Sequence, residues 1–276
     1  MGDRFSGRCG DNLQWIKNEE KLNISRIDKS NPNGEMWDNP EFPDEIKDTT
    51  ELVTFRGVTY IGEASFEGFD LTEAELSDSL VEIGDGAFKD CVNLDVELPE
   101  SLEIIGKQAF ENTGISNVTI MNSKVTIKEE AFYGCDNLEE ATIFAGKVDS
   151  RAFAGCKNLE NATLGPATTI GYNVFSPSKN LNIDVKYYNE SYPVNADLLR
   201  NEGHTNITES PVMREKEDLD QLIEEANLPQ SIVIDVESNL DSISTHETIS
   251  NEEFDELWLK EKNWHIYNKS CWSQKL

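Results

Sequence analysis

One motif recurs along this chain at a nearly constant interval. Residues 83–94 are IGDGAFKDCVNL, residues 105–115 are IGKQAFENTGI and residues 127–138 are IKEEAFYGCDNL. The spacings between successive Phe residues are 22, 22, 22, 21 and 22 along the series Phe66, Phe88, Phe110, Phe132, Phe153 and Phe175. A fixed period of this size is typical of solenoids, in which each unit buries its apolar side on its neighbours. The repeat therefore predicts about six stacked coils.

Each repeat divides into two short extended segments and a turn. Segments such as residues 117–120 (NVTI) alternate polar and apolar residues, which predicts a strand with one buried face. The second segment ends in an apolar residue followed by Gly, as in Ile83-Gly84 and Ile105-Gly106. We expect Gly there to serve a tight bend or a positive φ. The AF segment is expected to turn back, and a helical turn fits it.

Stacking of equivalent residues is expected to form the core. Adjacent strands lie about 4.8 Å apart, so one Phe per coil predicts a continuous column of rings. Cys91, Cys135 and Cys156 occupy the same place in three coils. Free Cys behaves as a small buried hydrophobe, so we expect reduced core residues. A disulfide between Cys135 and Cys156 stays an alternative, although parallel side-chain vectors suit that bond badly.

The charge balance excludes two classes of partner. The chain has 24 Lys and Arg against 53 Asp and Glu, for a net charge of −29. This charge repels phosphates, so we expect no nucleic-acid binding and no binding to anionic membranes. No segment approaches the roughly 18 apolar residues of a membrane-spanning helix. The first residues, MGDRFSGRCGDN, lack the apolar region of a secretory signal.

No catalytic or cofactor-binding pattern is present. The three His residues, at 204, 246 and 265, form no ligand motif such as HxxxH. The sequence contains no G-x-S-x-G, no P-loop, no dinucleotide-binding Gly pattern and no EF-hand loop. We therefore expect no metal, no cofactor and no enzymatic activity.

Motifs before and within the repeats resemble those of one family. CGDNLQW (residues 9–15), LNIS (22–25) and MWD (36–38) precede the units with IGxxAFxxCxxL and a following VTI or ATI strand. Over about residues 7–185 this arrangement resembles the BspA-like, or Treponema pallidum type, leucine-rich repeats. The resemblance implies a right-handed leucine-rich-repeat solenoid and an extracellular or cell-surface protein that binds other proteins or glycans.

Two coils depart from the repeat pattern. One has Asn112-Thr113-Gly114 where other coils have a Gly-Cys pair, and the last has Pro177 where we expect the Cys place. The second departure predicts that the solenoid ends there.

The fold class we predict is a repeat solenoid, α/β to mainly β, in four parts. Residues 1–50 form a β capping module with a hairpin around Asn18-Glu19-Glu20, and residues 51–185 form the solenoid. Residues 186–212 form a cap or linker. Residues 213–276 contain a helix signal, a strand signal and a second helix signal. They are either a small α/β unit or a partly disordered tail, and their Trp and Ile content favours the α/β unit.

The longer strands are expected to expose a ladder of side chains on the concave side of the solenoid. If Val96, Val118, Ala141 and their equivalents point inward, the neighbouring residues point outward. The predicted partner-binding residues are Glu73, Glu75, Asp95, Glu97, Asn117, Thr119, Glu140, Thr142, Asn161 and Thr163. The acidic early coils favour a protein or glycan partner with a basic surface. For any single position, plain solvation is the competing interpretation.

We expect a monomeric, non-enzymatic, adhesin-like interaction module. The alternative is a rigid spacer whose residues 213–276 carry the binding. Deletion of that segment discriminates between the two hypotheses.

Overall fold

The computed structural model describes residues 5–178, 180–187 and 194–211. The elements in chain order are β1 (Phe5–Arg8), β2 (Leu13–Asn18), β3 (Lys21–Arg26), α1 (Asp44–Lys47), β4 (Leu52–Arg56), β5 (Tyr60–Ile61), β6 (Glu73–Glu75), β7 (Glu82–Ile83), β8 (Ile104–Ile105), β9 (Asn117–Ile120), β10 (Thr126–Ile127), β11 (Glu140–Ile143), β12 (Lys147–Val148), β13 (Asn161–Leu164), β14 (Thr169–Ile170), β15 (Asn182–Tyr187), α2 (Val194–Asn201) and β16 (Ile207–Pro211).

These strands form three sheets. Sheet A has the order β1-β2-β3-β4-β6, sheet B the order β14-β12-β10-β8-β7-β5, and sheet C the order β16-β15-β13-β11-β9. Strands of successive coils pair in parallel, as β9, β11, β13 and β15 do in sheet C. Each coil thus contributes one strand to sheet B and one extended segment to the side that carries sheets A and C. The predicted repeat solenoid of about six coils is confirmed.

The Phe residues form one column. The rings of Phe66, Phe88, Phe110, Phe132 and Phe153 follow each other at centroid distances of 5.4, 5.4, 5.3 and 4.9 Å, with interplanar angles of 12° or less. Phe175 follows at 5.8 Å and is tilted by 30°. All six rings are fully buried. The column gives every coil an aromatic partner on each side, which a single coil cannot provide for itself.

The turn around each Phe makes a third set of coil-to-coil hydrogen bonds, which we call the turn ladder. In the first coil the backbone N–H groups of Ala64, Phe66 and Gly68 donate to carbonyl groups of the second coil. The same three bonds recur at every junction up to Gly155, which donates to Ser176. All these N–H groups point toward the C-terminal end of the solenoid. This segment consists of consecutive turns, so the helical turn expected at AF is not formed.

Left-handed residues shape the turn ladder. Two positions in most coils have a positive φ, one two residues before the Phe and one two residues after it. The first set is Ala64, Gly86, Gln108, Glu130, Arg151 and Asn173; the second is Gly68, Asp90, Asn112, Gly134 and Gly155. Each such residue except Asn173, in the last coil, donates its N–H to the next coil.

Gly follows four of the six short strands, and Lys128 and Asp149 follow the other two. Gly84 and Gly106 have no positive φ. A Cβ on Gly84 would lie 2.7 Å from Glu63 N, and one on Gly106 would lie 2.5 Å from Gly84 C. Two backbones approach too closely there for any side chain. The expectation of positive φ at this Gly was therefore wrong, and the close approach of neighbouring coils is the reason for Gly.

The Cys place, three residues after each Phe, holds a small side chain that donates a hydrogen bond in five of the six coils. Cys91, Cys135 and Cys156 are free and buried, as predicted. Their Sγ atoms donate to the carbonyl oxygens of Phe66, Phe110 and Phe132, respectively, one coil earlier, at 3.0, 3.0 and 3.2 Å.

Three other residues occupy this place in the remaining coils, and in the first coil the residue is Phe69. Thr113 Oγ1 donates to the carbonyl of Phe110 at 2.9 Å. In the last coil Ser178 is three residues after Phe175, so the assignment of Pro177 to the Cys place was wrong. Pro177 takes the place of Gly155, whose N–H bonds to the next coil. Since Pro has no N–H, it ends the turn ladder without leaving a donor unpaired.

The N-terminal motifs pair with and bond to the first coil. The predicted hairpin is confirmed, because β2 and β3 pair antiparallel and Glu19, with a φ of 52°, follows Asn18 in the connection. Strand β3 then pairs in parallel with β4. Asp38 Oδ1 accepts hydrogen bonds from the Tyr60 hydroxyl at 2.6 Å and from the Glu63 N–H at 2.9 Å. These bonds lower the pKa of the Asp38 carboxyl.

The last coil is followed by α2 and β16. Ala196 and Leu199 on α2 are fully buried and belong to the same apolar core as Phe175. Strand β16 forms the edge of sheet C beside β15 and ends at Pro211. Edge strands commonly end this way, because Pro cannot donate to a further strand. The two helices and the strand predicted within residues 213–276 lie outside the described residues, and the four-part division stays a prediction.

Candidate interaction surface

The alternation of the long strands determines which side chains reach solvent. Val118 and Ile120 of β9 are buried, as are Ala141 and Ile143 of β11, while the residues between them face outward. We call the outward side chains of β9, β11 and β13, and of their counterparts in the first two coils, the outer strand face. It contains the ten residues predicted to bind a partner.

Strand register arranges these residues in two rows. Glu73 pairs with Asp95, Asn117 with Glu140, and Glu140 with Asn161. Two residues further along each strand, Thr119 pairs with Thr142 and Thr142 with Thr163. Glu75 and Glu97 follow Glu73 and Asp95 by the same two residues. The first row is thus Glu73, Asp95, Asn117, Glu140 and Asn161, and the second is Glu75, Glu97, Thr119, Thr142 and Thr163.

Exposure differs along the rows. Glu140, Thr142 and Thr163 are half-buried. The exposed members are Glu73, Glu75, Asp95, Glu97, Asn117, Thr119 and Asn161. The acidic end of the surface is therefore also its more accessible end.

The rows are interrupted between Asp95 and Asn117. No strand pairing joins these two residues within the described part of the chain, which is why sheets A and C are separate. Instead, the Asp95 carboxylate accepts a hydrogen bond from the Ser116 N–H at 3.1 Å and one from its Oγ at 2.7 Å. A side chain thus replaces the backbone acceptor at this junction. The sequence pattern gave no signal of this break, because Ser116 precedes the alternating segment.

Several outward side chains bond to neighbours on the same surface. Lys21 Nζ lies 3.6 Å from Glu75 Oε1, and the Thr119 hydroxyl donates to Asn117 Oδ1 at 3.0 Å. Asn182 Nδ2 donates to Asn161 Oδ1 at 3.2 Å. Lys21 and Asn182 were not among the predicted site residues, since Lys21 belongs to the capping hairpin and Asn182 to the last coil. These contacts hold the side chains in place before any partner arrives.

Among the described residues, a groove lies apart from the outer strand face, and no metal-binding cluster is found. A groove of about 530 Å³ beside α1 is lined by residues that include Asn39, Phe42, Lys47 and Ser65, and none of its residues belongs to the outer strand face. Within the described ranges, no group of three or more His, Cys, Asp or Glu side chains is placed to hold a metal ion. No helix in this part of the chain is long and apolar enough to cross a bilayer.

Comparison with known proteins finds one family whose model matches the repeats. Residues 59–182 match, in six copies, the model of the BspA type leucine rich repeat region. Among solved structures, a T. pallidum leucine-rich repeat protein is 22% identical, with a TM-score of 0.46, over 72% of this chain and 97% of that one. A leucine-rich repeat protein from Eubacterium ventriosum is 18% identical, with a TM-score of 0.40, over 76% and 68% of the two chains.

A leucine rich cell surface protein from Faecalibacterium prausnitzii is more distant. It is 14% identical, with a TM-score of 0.27, over 67% of this chain and 76% of that one. No curated protein matches the chain. None of these likenesses bears on which ligand the chain binds.

Proposed function

Because residues 59–182 are a BspA-type leucine-rich repeat region, we propose that this chain is a non-enzymatic protein-interaction module. Its outer strand face binds a protein or glycan partner, and a basic surface on that partner meets the acidic early coils. The module acts as a monomer, outside the cell or on its surface. Neither a metal nor a cofactor is needed for this role, and residues 1–50 serve as its β cap.

The observation that supports this function most is the fixed register of the two outward rows. Parallel pairing sets the spacing between coils, so equivalent side chains recur at about 4.8 Å on each side of the break between Asp95 and Asn117. Extended arrays of this kind offer many weak contacts at once, which is how solenoids bind partners. Hydrogen bonds and ion pairs within the rows reduce the side-chain entropy lost on binding.

Glu73 and Glu97 are the carboxylates best suited to contact a basic partner. Both are exposed. Asp95 bonds to Ser116, and Glu75 pairs with Lys21, so these two acids already have cationic or hydrogen-bonding neighbours. A partner would have to compete with those neighbours for Asp95 and Glu75. We therefore assign the main electrostatic attraction to Glu73 and Glu97.

Charge reversal tests this assignment. In the variant with Glu73→Lys and Glu97→Lys, affinity for the native partner should fall at least about tenfold, and the salt dependence of binding should flatten, since opposite charges are replaced by like charges. Partners are first captured from the native environment on the immobilised full chain. Affinities for a captured partner are then compared by titration at two salt concentrations.

A matched control makes an equal change in net charge at positions outside the two rows. Asp78 and Glu100 are exposed acids in the segments between the long and short strands. The variant with Asp78→Lys and Glu100→Lys should bind within about twofold of the original chain, because these residues lie off the rows. Equal loss of affinity in both variants would mean that net charge alone acts, and no loss in either would contradict the proposed face.

The second candidate function is a rigid spacer whose residues 213–276 bind the partner. The observation that favours it is the pairing of so many outer side chains with one another, as in Asp95 with Ser116. Removal of residues 213–276 should leave partner capture intact if the outer strand face binds, and should abolish it if the chain is a spacer. If the chain is a spacer, the two charge-reversal variants should also bind the partner as tightly as the original chain does.

The proposed location follows from the resemblance to surface proteins. It predicts that protease added to intact cells digests the chain in its native host. Survival of the chain until the cells are lysed would contradict an extracellular location.

A further inference from the structure

The turn ladder has three rows of donors, and a carboxylate ends one of these rows at the last coil. In every earlier coil the residue two before the Phe donates its N–H to the next coil. In the last coil this residue is Asn173, and its N–H donates to Glu202 Oε1 at 2.7 Å. Glu202 follows α2, so the segment after the last strand supplies the acceptor that a seventh coil would have supplied.

The end of α2 determines where His204 lies. The N–H of Gly203 bonds to Arg200 O at 3.0 Å, and the N–H of His204 bonds to Leu199 O at 3.1 Å. With a φ of 94° at Gly203, this is the Schellman arrangement that closes a helix and reverses the chain. The reversal places the His204 ring edge-on to Phe175, with a centroid distance of 6.4 Å. His204 thus covers the last ring of the Phe column.

His204 lies in a site that disfavours its charged form. Its relative exposure is 6%, and among the described residues Nδ1 has no hydrogen-bond partner. Burial lowers the pKa of the imidazole, against the smaller opposing effects of the Glu202 carboxylate and the Ser178 backbone. Glu202 is the charged group that acts on the ring within the described part of the chain. Phe175, on the coil side, offers only an apolar edge.

We propose that the segment from α2 to His204 is an acid-sensitive cap, with the buried imidazole of His204 as its sensor. The neutral ring keeps the cap closed on Phe175. Protonation puts a charge into this apolar contact, so the cap opens and releases Glu202 from the Asn173 N–H. Because the pKa of His204 is lower in the closed cap than in the unfolded chain, the closed cap is fully stabilised above the unfolded-state pKa near 6.5. This stabilisation is lost as the pH falls below that pKa. This inference is independent of the proposed partner-binding face.

Hydrogen exchange of the full chain tests the cap. Exchange of the α2 amides is followed by mass spectrometry at about pH 7.5 and about pH 5.5, with correction for the intrinsic effect of pH. The amides around Phe132 serve as the internal reference. In the original chain the opening of α2, relative to that reference, should increase at least about threefold at the lower pH. Two variants without a titrating ring, His204→Gln and His204→Phe, should show no such increase.

A third variant separates the two titratable groups. Glu202→Gln keeps an oxygen that can accept the Asn173 N–H, so its cap should still open at the lower pH. The proposal is overturned if the original chain shows no increase, or if both His204 variants keep the increase. If Glu202→Gln alone lost the increase in opening at the lower pH, the Glu202 carboxylate would be the sensor, and the proposal would also be overturned. The His204→Phe variant keeps an aromatic ring against Phe175. It therefore still tests the role of the titrating ring if the Gln side chain does not pack at position 204.

Discussion

Gly106, which follows the short strand β8, illustrates how one residue can be required for a reason that its own conformation does not reveal. Gly106 has ordinary backbone angles, but the preceding coil passes within contact of its Cα hydrogens. Gly86, by contrast, has a φ of 63° and open space around it. Gln108, Glu130 and Arg151 replace it in later coils at similar φ values. The two glycines of one motif therefore tolerate substitution very differently.

Substitution of these two glycines should separate the effects. A Cβ at Gly106 would lie 2.5 Å from Gly84 C and 2.6 Å from Asp85 N, so Gly106→Ala must push two coils apart. We expect a loss of about 2–4 kcal/mol in the free energy of unfolding, measured by urea titration with circular dichroism. The control Gly86→Asn should cost less than about 1 kcal/mol, since Asn tolerates the left-handed region. Similar losses in both would contradict the close-approach explanation.

The buried thiols make a second prediction for single residues. Burial raises the pKa of Cys9 and of Cys91 to about 12. Because only the thiolate reacts, neither should react with a disulfide reagent at about pH 8 in the folded chain. Cys271 lies outside the described residues, so the measurement uses the Cys271→Ser variant, with and without denaturant. Labelled peptides are identified by mass spectrometry, and rapid labelling of Cys9 or Cys91 in the folded variant would contradict this prediction.

At the scale of an element, the Phe column holds the coils in register. Phe110 lies between Phe88 and Phe132 at 5.4 and 5.3 Å and is fully buried. Phe110→Ala should lower the free energy of unfolding by about 3–5 kcal/mol, because it removes two ring contacts and leaves a cavity. Phe5→Ala, at an exposed ring of β1, should change it by less than about 0.5 kcal/mol. Urea unfolding of both variants measures the difference, and equal effects would count against the column.

The elements also show where sequence patterns stop being informative. The Phe column could be predicted from the Phe spacing, because one residue type that recurs at one interval must lie at the same position in every coil. The hairpin of β2 and β3 was also predictable from its alternating segments. The break at Asp95 and the capping role of Asp38 were not predictable, since each depends on a hydrogen bond to a residue more than 20 positions away. The ten outward residues could be placed on strands, but their internal pairing could not be foreseen.

At the scale of the whole molecule, net charge opposes compactness. The chain carries −29, and its acids include the exposed members of the outer strand face. Like charges repel over about 10 Å at moderate ionic strength, and salt screens this repulsion. The Tm should therefore rise when NaCl is increased from low concentration to about 0.5 M. Differential scanning calorimetry measures it, and a Tm that falls with salt would indicate that ion pairs such as Lys89–Glu111 outweigh the repulsion.

The one-way direction of the turn ladder has a consequence for how such a chain can change in length. Every interior coil offers the same three donors forward and the same three acceptors backward, so one more copy of residues 98–119 would fit between its neighbours without new chemistry. The two ends have no such freedom, because Asp38, Pro177 and Glu202 each terminate a row that a copied unit would continue. Duplication within the middle of the chain can thus lengthen the molecule by small steps, while its first and last segments must be inherited as they are.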